Sequence, residues 1–254
     1  MAFKLILKHN AMKTQTVQIM GYQIRTSLGD LAPNGKKMII NTLNPHSYCV
    51  AKKDKAFARA LSSADVLLPD GIGVVLATKF LRGIAIQKIA GQDMQLHLLK
   101  LANAKSLRIF YLGSTQRTLE CIQEKIQKEY PKIQVDIYSP PFKTVFSPED
   151  DREMVGRINA FRPDILFVGM TAPKQEKWVY RNKEALQVNI IASIGAAFDF
   201  YAGTVKRSGP LWIKLGLEWL PRLIREPRRM AKRNFISTPE FLWEIMVLKL
   251  FRGT

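Results

Sequence analysis

The sequence predicts an α/β fold, and three observations support that prediction. Short apolar runs alternate with amphipathic segments of helical length from about residue 37 to about residue 203. The connections between them are short, as in sheets whose parallel strands are joined by helices. After about Gly203 the composition shifts towards lysine, arginine and large apolar residues. We therefore expect a mainly parallel, Rossmann-like sheet flanked by helices over residues 1–205, followed by a basic helical C-terminal appendage over residues 206–254.

Each element of this fold follows from a local pattern. A short hairpin is expected around Val17–Ile24. Apolar runs bounded by turn residues predict strands at residues 37–42, 66–68, 107–112, 134–138, 165–169 and 189–194. Apolar residues at helical spacing, such as Met94, Leu98 and Leu101, predict the helices between them, at residues 47–61, 74–80, 91–104, 116–130, 148–161 and 174–182.

The appendage combines positive charge with large apolar side chains. Residues 206–254 contain eleven lysines and arginines against four glutamates. Ser237-Thr238-Pro239-Glu240 is typical of a helix start, and residues 241–251 are apolar nearly all round. Two interpretations stay open, and they are compatible: the segment lies in a membrane interface, or its apolar face packs on the α/β domain.

The formal net charge of +18 is the strongest global feature of the chain. It suits an anionic partner, which could be nucleic acid, an anionic membrane surface or a phosphorylated substrate. Cys49 and Cys121 show neither metal-ligand spacing nor a redox pair, so a reducing cytosol is the simplest expectation. Neither a signal-peptide core nor a run of ~20 apolar residues is present, so we expect any membrane contact to be peripheral.

Polar residues and glycines follow the predicted strands at the edge where open parallel sheets bind ligands. Asp70 lies between Pro69 and the glycines of Asp70-Gly71-Ile72-Gly73, at a predicted helix start that favours an anion such as phosphate. We interpret Asp70 as a general base. For Thr42 and Asn44, capping of the next helix and hydrogen bonding to a ligand both stay open. Other residues predicted to lie at the same edge are Gly71, Gly113, Lys174, Gln175, Glu176 and Asp199.

Several motifs of other chemistries are missing from the sequence. It contains no Asp-x-Asp, no Walker A lysine motif and no Gly-x-Ser-x-Gly elbow, and its histidines are scattered. We therefore expect no metal, no cofactor and no covalent nucleophile. A lone carboxylate base, with basic groups and backbone amides around an anionic leaving group, fits a group transfer.

A set of ordered motifs resembles the WecG/TagA/CpsF glycosyltransferases, which include TagA-like and GumM-like enzymes. The motifs span roughly residues 38–235, and together they are highly specific. They lie at residues 41–44 (NTLN), 64–73 (ADVLLPDGIG), 89–93 (IAGQD), 110–113 (FYLG), 172–176 (APKQE), 198–203 (FDFYAG), 217–223 (LEWLPRL) and 226–228 (EPR).

This resemblance implies an inverting, metal-independent glycosyltransferase of cell-surface polysaccharide synthesis. The donor would be a UDP-sugar, and the acceptor a polyprenyl-diphosphate-linked sugar at the cytoplasmic face of the cell membrane. Candidate sugars are glucose, N-acetylmannosamine and its uronic acid. Asp70 matches the family's base, and Lys88 stands where the family usually has arginine. The implied substrate contacts are Thr42, Asn44, Gly71, Lys88, Gly113, Lys174, Gln175, Glu176, Asp199, Arg207, Arg222, Arg225 and Arg228.

Two other functions compete with this one. A basic nucleic-acid-binding α/β protein would also explain the charge, although the basic residues lie in no recognised nucleic-acid module, so we expect no nucleic acid partner. A nucleotide-binding α/β protein without transfer activity is the third possibility. The sequence leaves the transferred sugar open, and it allows a homo-oligomer.

Overall fold

The computed structural model describes residues 16–29, 31–33, 35–205, 209, 212, 220, 223–224 and 227–251. An antiparallel hairpin of β1 (Thr16–Ile19) and β2 (Tyr22–Arg25) precedes the main sheet. The main strands are β3 (Met38–Leu43), β4 (Val66–Pro69), β5 (Arg108–Gly113), β6 (Gln134–Tyr138), β7 (Ile165–Gly169) and β8 (Ile190–Ser193). They form one parallel sheet in the order β4-β3-β8-β7-β5-β6, which confirms the predicted α/β class.

Helices connect the strands and cover both faces of the sheet. They are α1 (Pro45–Lys53), α2 (Lys55–Ser62), α3 (Ile72–Arg82), α4 (Gly91–Lys105), α5 (Gln116–Glu129), α6 (Pro148–Phe161), α7 (Lys174–Asn182) and α8 (Ala197–Ala202). The C-terminal segment contains α9 (Pro227–Ala231), a π-helix (Lys232–Ser237) and α10 (Thr238–Phe251). No helix among the described residues is both long and apolar enough to span a bilayer.

Alternate residues of each strand face two separate cores. Ile109 and Tyr111 of β5 join the core under α4, α5 and α8. Phe110 and Leu112 join the opposite core under α6 and α7. Burial on both faces explains why the strands are continuous apolar runs in the sequence, as expected for a parallel sheet.

The predicted helix at residues 47–61 is two helices in the structure. Asp54 ends α1 in an extended conformation, and its side chain accepts hydrogen bonds from the amides of Ala56 and Phe57, both at 3.0 Å. An aspartate that caps a second helix interrupts the first, because its backbone has left the helical region. The patterns also do not predict α8, which is only six residues long.

Helical backbone in the C-terminal segment precedes the predicted start at Ser237. It is present at Trp212, Leu220, Leu223 and Ile224 and is continuous from Pro227 to Phe251. The wider π-helical turn accommodates Pro239, which has no N–H to donate to the preceding turn. The amide of Thr238 donates five residues back, to the carbonyl of Arg233. The proline therefore changes the type of helix instead of starting a new one.

The C-terminal helix α10 packs on the α/β domain. Phe241 and Ile245 are buried in a third core that also contains Val74 and Ala77 of α3. Glu240 and Glu244 form ion pairs with Lys53 and Lys52 of α1.

Both edges of the sheet are occupied by neighbouring groups. The hairpin packs against β4, because Val17 and Ile24 share a core with Leu67. On β6, the carbonyl of Val135 accepts from Gln123 at 3.3 Å, and the amide of Ile137 donates to the Asp136 carboxylate at 2.9 Å.

Candidate active site

Asp70 lies at the carboxyl end of β4, half-buried, at the start of a sharp turn into α3. Its amide donates to the carbonyl of Leu43 at 2.8 Å, which fixes it beside the end of β3. Gly71 follows with a φ of +96° and is the N-cap residue of α3. Because a side chain is strained at that φ, glycine is the residue that lets the chain turn here directly from strand to helix.

The N-termini of α1 and α3 meet beside Asp70. A Cβ on Gly73 would lie 2.5 Å from Cγ of Pro45, so the two helix starts touch without space for a side chain. Asn44 caps α1, and its side-chain oxygen accepts from the amide of Ser47 at 2.9 Å. Of the two roles predicted for Asn44, capping is therefore present. Two helix N-termini at one point concentrate partial positive charge next to the carboxylate.

Lys88 and Thr42 belong to the same end of the sheet. The loop after α3 returns to the end of β4, where the amide of Ile89 donates to the carbonyl of Pro69 at 2.8 Å. This hydrogen bond fixes Ile89 beside Pro69, the residue before Asp70. Lys88, which precedes Ile89 and is half-buried, is therefore held near Asp70. Thr42 is half-buried on β3, in register with Leu68 of β4.

A second group of residues surrounds the ends of the neighbouring strands β5 and β7. The chain leaves β5 towards β6 and leaves β7 towards β8, in opposite directions along the sheet, which leaves a crevice between them. Gly113 has a φ of +111°, and a Cβ there would lie 2.6 Å from the carbonyl oxygen of Gly169. A Cβ on Gly169 would in turn lie 2.4 Å from the ring of Phe198. The amide of Ser114 donates to the carbonyl of Gly169 at 3.0 Å, so backbone and not side chains lines this part of the edge.

Gln175 and Glu176 are buried beneath that backbone. The side chain of Gln175 accepts from the amide of Met170 at 3.2 Å and donates to Oε1 of Glu176 at 2.8 Å. Burial raises the pKa of Glu176 to about 7, although the hydrogen bond from Gln175 opposes that shift. Oε2 of Glu176 has no hydrogen-bond partner among the described residues. This geometry suits a pair that holds the turn after β7 in place.

Two further predicted site residues, Lys174 and Asp199, make contacts with nearby segments of the chain. Nζ of Lys174 donates to the carbonyl of Lys143 and lies 3.7 Å from the ring centroid of Phe146, and burial lowers its pKa. Asp199 lies half-buried on α8, and its carbonyl accepts from the amide of Val205 at 3.2 Å. Arg207, Arg222 and Arg225 lie outside the described residues. Arg228 is in α9, and its side chain is not described.

Comparison with known proteins shows the family of the chain. The model of the glycosyl transferase WecG/TagA/CpsF family matches residues 13–254. The chain belongs to this family. Two similar proteins, both named N-acetylglucosaminyldiphosphoundecaprenol N-acetyl-beta-D-mannosaminyltransferase, come from Bacillus species. That of Bacillus subtilis (strain 168) is 34% identical over 209 residues, which cover 82% of this chain and 78% of the relative. That of Bacillus spizizenii is 31% identical over 211 residues, which cover 83% and 79%.

A protein of the same name from Staphylococcus aureus (strain MW2) is 28% identical over 234 residues, which cover 92% of this chain and 89% of the relative. The chain is therefore a glycosyltransferase, and the fold and enzyme class expected from its motifs are confirmed. The roles of the individual site residues remain predictions.

The structure of this WecG/TagA/CpsF glycosyltransferase adds two residues that sequence reasoning missed. Pro45 sets the contact between α1 and α3, and Gly169 forms the backbone floor between β5 and β7. A glycine at the end of an apolar strand was a usable signal for the second. Two pockets among the described residues lie elsewhere, one between the hairpin and the start of β4 and one beside β6. No group of three potential metal ligands occurs in the described part of the chain.

Proposed function

We propose that this glycosyltransferase moves a hexose or an N-acetylhexosamine, or its uronic acid, from a UDP-sugar to a polyprenyl-diphosphate-linked sugar. The transfer inverts the anomeric centre and needs no metal. The enzyme acts in cell-surface polysaccharide synthesis, as a peripheral protein on the cytoplasmic face of the cell membrane. One observation carries the proposal: Asp70 is a half-buried carboxylate at the C-terminal edge of a parallel sheet, beside two helix N-termini.

Asp70 is better suited than Glu176 to act as a base. Glu176 is buried and accepts a hydrogen bond from Gln175, so it is less accessible to a substrate than the half-buried Asp70. The Asp70 carboxylate takes the proton of an acceptor hydroxyl, and the hydroxyl oxygen attacks the anomeric carbon of the donor. The bond between that carbon and the diphosphate oxygen breaks, and its electron pair leaves with UDP. One displacement without a covalent intermediate inverts the anomeric centre.

The leaving diphosphate needs positive charge, and this edge supplies some of it. The N-termini of α1 and α3 and the nearby Lys88 are attractive for an anion. Arg222, Arg225 and Arg228 are the proposed further contacts, since arginine binds phosphate oxygens in pairs. Strands in a sheet are about 4.8 Å apart, so the edge from β4 to β5 is roughly 19 Å long, enough for a nucleotide sugar and an acceptor sugar.

The names of the relatives narrow the substrates. They are called N-acetylmannosaminyltransferases that act on N-acetylglucosaminyldiphosphoundecaprenol. We therefore place UDP-N-acetylmannosamine first among the donors and an N-acetylglucosaminyl diphosphate lipid first among the acceptors. A screen of UDP-sugars with this one acceptor identifies the donor.

Replacement of Asp70 by asparagine tests the mechanism. Because asparagine keeps the shape and loses the base, we expect Asp70→Asn to lower the transfer rate by about 100- to 10,000-fold. The measurement is the release of UDP together with the mass of the lipid-linked product. Asp65→Asn is the matched control, since Asp65 precedes the same strand at its opposite end and accepts from the amide of Ile39 at 2.7 Å.

Asparagine at position 65 can still accept that hydrogen bond, so the control should retain its transfer rate. Undiminished turnover in Asp70→Asn contradicts the role of Asp70. The same assay in the presence of EDTA tests metal independence, which fails if EDTA abolishes transfer and a divalent ion restores it.

A further inference from the structure

Helices α3 and α10 present large apolar side chains to solvent side by side. On α3 these are Ile72, Leu76 and Phe80, which are four residues apart and therefore share one face. On α10 they include Trp243, Met246 and Leu250. Leu76 and Phe80 are 53% and 51% exposed, and Trp243 and Leu250 are 65% and 75% exposed. We call these six residues the α3–α10 face.

The two helices lie in contact, so the apolar residues form one surface. Phe241 of α10 is buried against α3, and its ring lies 3.6 Å from the position of a Cβ on Gly73. Further along, Nζ of Lys249 lies 6.0 Å from the ring centroid of Phe80. Contacts near both ends show that α3 and α10 run in the same direction. A contiguous apolar surface of this kind marks an interaction site, whereas single exposed apolar residues do not.

Basic residues lie beside this apolar surface, and they favour an anionic partner. Lys79 and Arg82 lie in the last turn of α3, and Lys249 lies in the last turn of α10. The acidic residues of the two helices are Glu240 and Glu244, and both form ion pairs with lysines of α1. Positive charge therefore borders the α3–α10 face where both helices end, and we call these three residues its basic rim.

We infer that the α3–α10 face rests on an anionic lipid bilayer. Apolar side chains enter the boundary between headgroups and acyl chains, while the basic rim contacts lipid phosphates. A second copy of the chain fits less well, because a two-fold contact through this face would bring Lys79, Arg82 and Lys249 of both copies together in a protein of charge +18. The inference goes beyond the appendage, since half of the face belongs to α3 of the α/β domain.

This inference deepens the proposed function and rests on it only for the lipid-linked acceptor. Ile72, the first residue of the face, is two residues from Asp70. A bilayer under α3 therefore brings headgroups to the edge that carries the proposed base. Binding to vesicles without acceptor needs no transfer activity, so the two hypotheses fail independently.

The test is co-sedimentation of the full-length protein with vesicles of equal parts phosphatidylglycerol and phosphatidylcholine. We expect Leu76→Glu/Phe80→Glu to weaken binding by at least about 10-fold, since it removes two apolar contacts and adds two negative charges. Gln127→Glu/Gln134→Glu is the matched control, because it makes the same change of net charge on the exposed surface of α5 and β6. It should bind nearly as the unmodified protein does.

Three results overturn the inference. The first is failure of the unmodified protein to sediment with these vesicles, and the second is equal binding by Leu76→Glu/Phe80→Glu. The third is a concentration-dependent dimer, without vesicle binding, that the same double variant abolishes. Far-ultraviolet circular dichroism and a thermal scan check that the variants are folded, as expected for substitutions at exposed positions.

Discussion

Asp70 owes its position to neighbours that carry no charge. Gly71 turns the chain, Gly73 admits Pro45, and the carbonyl of Leu43 holds the Asp70 amide at 2.8 Å. The Asp-Gly-x-Gly pattern predicts this turn from the sequence, because glycine has a physical role at each position. It does not predict Pro45 as the partner, since that contact joins two helix starts far apart in the chain.

The burial of Gln175 and Glu176 could not be predicted from the sequence. Both are polar and follow a strand of the sheet, and the family resemblance implies that they contact substrate. The structure buries both side chains. Nothing in a single sequence distinguishes a glutamate that faces a crevice from one buried under the next turn. The distinction depends on the register of α7 against the sheet, which tertiary packing sets.

The buried Glu176 should make stability depend on pH. Its pKa is about 7 in the folded protein, while an unfolded chain releases that proton near pH 4.3. Between these values the folded state binds more protons, so its stability falls as pH rises towards and through 7. The two pKa values differ by about 2.7 units, and one unit corresponds to about 1.4 kcal/mol, so the loss of stability above pH 7 relative to pH 4 is at most about 4 kcal/mol.

Glu176→Gln removes that titration and keeps an oxygen that accepts from Gln175. We expect the difference in free energy of unfolding between pH 5.5 and pH 8 to shrink in Glu176→Gln, as measured by urea denaturation. Glu153→Gln, an exposed residue of α6, is the control and should leave the pH dependence unchanged. An unchanged pH dependence in Glu176→Gln would show that the buried carboxylate does not carry the effect.

At the level of elements, strands and long helices were the most predictable part of the fold. The bounds of β6, β7, α6 and α7 match the sequence patterns residue for residue. Burial on two faces makes each strand an uninterrupted apolar run, and Pro148 after Ser147 marks the start of α6. Predictions failed where a side chain changed the backbone locally, as Asp54 does between α1 and α2.

The contact between α1 and α3 gives an element-scale prediction. Gly73→Ala places a Cβ 2.5 Å from the rigid ring of Pro45, so α3 must move away from α1 and carry Asp70 with it. We expect stability to fall by about 1–3 kcal/mol and kcat/KM by roughly 10-fold. Urea denaturation and the transfer assay measure the two effects.

Gly156→Ala in α6 is the control for this substitution. A Cβ there meets nothing within 4 Å, and alanine is the better helix former by about 1 kcal/mol. The control should therefore be as stable as the unmodified protein or more stable. A Gly73→Ala variant with the same behaviour would mean that the two helix starts can separate without cost.

At the scale of the whole molecule, the C-terminal segment is more than an addition to a finished domain. Phe241 and Ile245 complete the core formed by α1, α3 and the hairpin. Removal of residues 206–254 should therefore lower the melting temperature by roughly 10–20 °C, because loss of two large buried side chains costs several kcal/mol. Differential scanning calorimetry measures the change.

Phe241→Ala/Ile245→Ala in the full chain separates this packing effect from other effects of the deletion. It should reproduce most of the loss in melting temperature. A truncated chain as stable as the intact one would show that the α/β core is complete without α10. The composition of the segment indicates its charge and apolar character, but its placement against α3 is a tertiary contact that no local pattern encodes.

The side-chain contacts along β6 have a consequence for solubility. An outer strand with unpaired amides and carbonyls can recruit a strand from another molecule and begin a continuous intermolecular sheet. Here Gln123 already occupies the carbonyl of Val135, and Asp136 occupies the amide of Ile137. At the other side the hairpin shields β4. The parallel sheet thus gives a second molecule few backbone groups to pair with, which protects an apolar-rich chain from aggregation at high local concentration.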